Sequence, residues 1–96
     1  MKDISQALEL LFIAEAHLGV ERQIKLKCIA RAHKVIAALN TGHPAYADWT
    51  EVERQEHLEN WQTILETHLA DLAKIKTKTV KVKQAIYPLL DTPEWA

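Results

Sequence analysis

Residues 51–87 read EVERQEHLENWQTILETHLADLAKIKTKTVKVKQAIY, and no glycine or proline interrupts them. Within this stretch Leu58, Trp61, Leu65, His68, Leu72, Ile75, Thr79, Val82 and Ile86 follow one another in steps of three and four. That spacing keeps one side of an α-helix turned to a partner through four heptads. Thr50 with Glu53 forms a capping box, and Asp48 and Glu51 place negative charge where a helix N-terminus favours it. The run KTKTVKVK at 76–83 opposes this reading, because threonine and valine lower helix propensity and the run alternates with a period of two. A strand there would find no partner strand, and the heptad phase carries across without a skip. The expectation is one helix over 51–87, with a break near Thr77–Thr79 into a fourth helix as the alternative.

Upstream, Asp3 with Gln6 reads as a capping box for a helix over 4–18 that stops at Gly19. Ile4, Leu8, Leu11, Ala14 and Leu18 form its stripe, while Leu10, Phe12 and Ile13 lie off it, so its middle is apolar almost all round. Such a helix is buried on several sides, either by its own bundle or by another molecule. A second helix is expected over 20–39, with Ile24, Cys28, Ile29, Ala32, Val35, Ile36 and Leu39 in one sector. Lys27, Arg31 and Lys34 lie on its opposite side. Residues 40–49, NTGHPAYADW, form the loop, and residues 88–96 an irregular tail. The fold expected is therefore all-α: a single small helical bundle over 1–96, with an antiparallel hairpin of two helices packed on a long third. A third helix of roughly 55 Å against about 30 Å for the second leaves apolar surface for a second molecule.

With 96 residues, 48% apolar and 26% charged, the chain has the composition of a soluble globular domain. Two glycines and three prolines are too few for a sandwich or barrel. No apolar run approaches the ~18 residues of a membrane span, and the N-terminus shows neither a basic n-region nor a cleavage site. Cys28, the sole cysteine, excludes an internal disulfide and a cysteine-cluster zinc site. The expectation is a cytoplasmic protein with no membrane association. Its net charge of −1 conceals alternating blocks: −2 over 1–20, +4 over 21–47, −6 over 48–71, +5 over 72–87 and −2 over 88–96. Blocks of opposite sign attract one another and steer partners.

Catalytic and metal chemistry find little purchase. His17, His33, His43, His57 and His68 are scattered, and only Glu53 with His57 shares a helix face at metal-ligand spacing. The Glu-x-x-His motif of di-iron bundles is absent. The acidic face of Glu53, Glu56 and Glu59 reads as solvated. Cys28 lies in an apolar sector five residues from His33, a poor arrangement for a thiolate nucleophile. No glycine-rich phosphate loop, G-x-S-x-G or H-E-x-x-H occurs. No enzyme, cofactor or metal is expected. His68, a polar residue at a heptad core position, is expected to hydrogen-bond across the helix interface and set its register.

Two sets of residues remain as interaction candidates. Phe12, Ile13, Tyr46, Trp49, Leu89, Leu90 and Trp95 offer the aromatic and aliphatic anchors typical of protein interfaces. Packing inside the monomer is the competing use of Tyr46 and Trp49, which also pin the loop to the bundle. The favoured function is a non-enzymatic protein–protein interaction module of regulator, inhibitor or assembly-factor type, acting as a homodimer. The alternative is a nucleic-acid-associated helical protein whose basic run Lys74, Lys76, Lys78, Lys81 and Lys83, with Lys27, Arg31 and Lys34, contacts phosphates.

Overall fold

The computed structural model describes residues 2–91, the side chain of Lys2 excepted. Two α-helices of 40 residues each, α1 (Lys2–Thr41) and α2 (Glu51–Leu90), are joined by a connection holding a 3₁₀ turn at Pro44–Tyr46. No strand occurs among the described residues. The class is all-α, as expected, but there are two helices where a three-helix bundle was expected.

The correction lies at Gly19. The first two expected helices are one, and Gly19 sits inside α1 with no positive φ. A glycine in a helix interior costs about 0.5–1 kcal/mol relative to alanine. Leu11, Leu18 and Lys25, seven apart, keep the packed stripe in phase through it. Burying a leucine such as Leu18 contributes about 1.5–3 kcal/mol, which outweighs the glycine. Two further expectations shift with it. Asp3 lies in the first turn of α1 rather than capping it. Ile24 is 55% exposed, because the seam runs through Lys25, Ile29, Ala32, Ile36 and Leu39 and leaves it outside.

The terminator that α1 does use is Gly42. Its φ of 67° is the left-handed value, and the His43 N–H donates to the Ala38 carbonyl at 3.1 Å. This six-to-one bond is the Schellman closure of a helix end. The 3₁₀ turn follows, with His43 Nδ1 accepting from the Ala45 N–H at 3.0 Å. Thr50 then caps α2 as its sequence implies: its Oγ1 accepts from the Glu53 N–H at 3.1 Å.

α2 is continuous through Thr77–Thr79. The Thr77 hydroxyl donates to the Ala73 carbonyl at 3.1 Å and that of Thr79 to the Ile75 carbonyl at 2.8 Å. Each threonine therefore satisfies its hydroxyl on its own helix, which removes the polar reason to leave it. The helix also runs past the expected tail start at residue 88. Pro88 lies in its last turns and Leu89 and Leu90 are half-buried. Burial of these leucines favours continuing the helix beyond the proline, whose missing N–H costs one bond near an end that frays anyway.

The chain divides into two compact units. Unit 1 comprises the described parts of Met1–Gln23 and Ala73–Ala96, and unit 2 is Ile24–Leu72. In unit 1 an α1 segment packs on the C-terminal half of α2, burying Leu8, Leu18, Ile75 and Ile86. In unit 2 the end of α1 and the start of α2 form a helical hairpin that buries Ala32 and Leu39. Leu58, Trp61, Leu65, His68 and Leu72 are all half-buried, so the heptad stripe of α2 does face the packing seam there.

Candidate interaction surfaces

In unit 1, α1 is packed on one side only. The opposite side leaves Leu10 61%, Phe12 42%, Ile13 58% and Val20 60% exposed. A shallow groove lined by Ser5, Leu8, Glu9, Phe12, Ile13 and Ala16 runs along it. Phe12, Ala16 and Gly19 are spaced four and three apart, so they share this outward face. Nothing lies within 4 Å of where a Cβ on Gly19 would stand. A bulky side chain is thus followed along the face by two residues offering almost no side chain.

The C-terminal half of α2 supplies a second surface in the same unit. Lys74, Lys76, Lys78, Lys81 and Lys83 are all exposed. Two shallow depressions meet along Thr77 and Lys81, one reaching Lys76, Val80 and Gln84, the other Ala73, Lys74 and Lys78. Leu89 and Leu90 close the helix, half-buried. Trp95 lies outside the described residues.

Unit 2 gathers its aromatic residues at the hairpin turn. Tyr46 and Trp49 meet edge to face, with ring centroids 4.9 Å apart, and Trp49 meets His57 at 4.8 Å. The Trp61 indole N–H donates to His57 Nε2 at 3.2 Å. Tyr46 and Trp49 are half-buried in this cluster, so they do pin the connection to α2. Of the two His57 ring nitrogens, Nε2 is engaged by the Trp61 indole. Among the described residues, no group of three His, Cys, Asp or Glu side chains is placed to hold a metal ion. Cys28 is a free, half-buried thiol, and His33 is exposed.

Deeper in the hairpin, Lys25 from α1 reaches across to α2. Its ammonium lies 2.9 Å from Asp71 Oδ2 and 3.3 Å from His68 Nδ1. The expected cross-helix bond of His68 is therefore present, with a lysine as its partner. An ammonium only donates, so Nδ1 accepts and the ring proton sits on Nε2. Seven residues on from Lys25 and seven back from His68, the register sets the small Ala32 level with the large Trp61. Lys25 was not singled out by sequence reasoning, because closing a helix at Gly19 hides its place in the stripe Leu11, Leu18, Lys25. Arg54, half-buried near the α2 N-terminus, has its Nε enclosed without a hydrogen-bond partner. Lys27, Arg31 and Lys34 are exposed.

No family model, no curated protein and no solved structure matches this chain. Function has to be read from these surfaces. Among the described residues no helix is long and apolar enough to cross a membrane.

Proposed function

We propose that the chain is a non-enzymatic protein–protein interaction module of the cytosol, a small regulator, inhibitor or assembly factor, that works as a homodimer. The observation that carries this reading is the outward face of α1 in unit 1, where Leu10, Phe12, Ile13 and Val20 stand in solvent. Fully covering a side chain of this size contributes at most about 1.5–3 kcal/mol, and Ile13 and Val20, seven apart on one side of the helix, are placed to be covered together.

A second copy suits this face because the face is self-complementary. In an antiparallel pairing about a twofold axis, Phe12 of one copy would meet Ala16 of the other. A large residue set against small ones is the basis of an isologous interface. The free thiol of Cys28 accords with a reducing compartment.

Light scattering on a sizing column over a concentration series tests the proposal. The expected mass is twice the 11.0 kDa of one chain. Phe12→Ser and Ile13→Ser, both at exposed positions, should return the protein to single-chain mass with its helix content intact. A wild-type protein that stays at single-chain mass to high concentration overturns the homodimer.

A further inference from the structure

The lysines of α2 in unit 1 do not form one patch; they form two rows. Lys74, Lys78 and Lys81, spaced four and three apart, share one flank of the helix. Lys76 and Lys83, seven apart, share the opposite flank. Between the rows the outward edge carries Ala73, Thr77, Val80 and Gln84, all exposed and all uncharged. The acids nearest in sequence, Asp71 and Asp91, lie outside the run. Among the described residues Lys76, Lys78, Lys81 and Lys83 enter no ion pair, so their charge is available to a partner.

An uncharged leading edge with cations projecting to both sides matches a channel with two anionic walls. The major groove of B-form DNA is about 12 Å wide, and a helix with its side chains is about 10–12 Å across. Phosphates line both walls of that groove. We propose that this face of α2 binds double-stranded DNA without sequence preference, with residues 73–84 in the major groove and one lysine row on each phosphate wall. The leading edge explains the lack of preference. Thr77 already spends its hydroxyl on the Ala73 carbonyl, and lysine is a point charge rather than a bidentate base reader. A membrane surface fits less well, because Val80 and Tyr87, seven apart on one side, are the only large exposed apolar residues among residues 73–91, too narrow an apolar face to enter a bilayer. Single-stranded nucleic acid would want aromatic rings along the edge for stacking, and residues 73–84 include none.

The test is fluorescence anisotropy of a labelled random-sequence 20-bp DNA duplex from 50 to 200 mM NaCl. Five phosphate contacts give a slope of log affinity on log salt of about −4.5, so binding should weaken roughly 500-fold over that range. The variant K74Q/K78Q/K81Q should flatten the slope by about 3, and K76Q/K83Q by about 2. Glutamine keeps helix propensity, and circular dichroism checks that the helices remain. The charge-preserving K74R/K78R/K81R should keep the wild-type slope. An RNA duplex of the same sequence should bind more weakly, since its deep, narrow major groove does not admit a helix. Equal binding of the RNA duplex, equal competition by polyglutamate, or slopes unmoved by both glutamine variants would each overturn the proposal. This surface is separate from the face assigned to dimerisation, and the Phe12→Ser monomer distinguishes the two readings by retaining the salt slope of each chain.

Discussion

Lys25 occupies a position in the packed seam of unit 2 where a leucine would bury more apolar surface. Its contacts to Asp71 and His68 are partly exposed, with side-chain accessibilities of 26% for Lys25 and 36% for Asp71. An ion pair with that much water around it contributes a fraction of a kcal/mol to about 1 kcal/mol. Its worth lies in selection: Lys25 and His68 meet only in one register, as single polar core residues fix register in coiled coils. The double substitution Lys25→Leu/His68→Leu is expected to raise the thermal midpoint by about 4–8 °C per kcal/mol gained, read by circular dichroism. The same variant should broaden the distribution of masses in sedimentation, as alternative pairings become accessible. A lowered midpoint would show that the polar cluster stabilises more than it specifies. Half of this cluster was legible beforehand. His68 stands out as a polar residue at a heptad core position flanked by Leu65 and Leu72, whereas Lys25 looks like any surface lysine until α1 is known to be unbroken.

At the scale of the element, the two glycines sit in contrasting environments and predict opposite responses. Gly42 ends α1 at a φ of 67°, a conformation that L side chains avoid, so Gly42→Ala should cost about 1 kcal/mol in urea unfolding. Gly19 lies in helical conformation with open space at its Cβ, so Gly19→Ala should add about 0.5–1 kcal/mol, measured on dilute protein. Reading both as stops is where sequence reasoning failed for α1. A glycine beside Leu18 carries no local mark that separates a cap from an interior position; the distinction comes from the seven-residue phase across it and the burial that phase secures. The heptads of α2 were legible because no glycine or proline interrupts 51–87, and Thr50 announces their start through a bond the structure contains. The threonines of 76–83 misled only partly, since propensity scales do not register that Thr77 and Thr79 would bond to their own helix. The lysine rows were visible as a charge run, but their division between two flanks required the helix to be continuous.

For the whole molecule, stability and association are one equilibrium if the outward face of α1 is covered by a second copy. Binding that exists only in the folded state raises apparent stability with concentration. The thermal midpoint of the wild-type protein should therefore climb as chain concentration increases from micromolar to millimolar, while that of Phe12→Ser should stay level. A net charge of −1 offers little colloidal repulsion between copies of the chain. Unit 2 is assembled from a continuous stretch of chain, whereas unit 1 needs both the first 23 residues and those from Ala73 onward. During synthesis this imposes a waiting time. The hairpin of unit 2 has all its residues once Leu72 has left the ribosome, but the apolar N-terminal segment emerges first and finds its intramolecular partner last. At about 5–20 residues per second, that segment stays uncovered for several seconds. Throughout that interval its apolar residues are open to nascent neighbours on the same message and to chaperones, and encounters of this kind could decide whether two copies pair before either has finished folding.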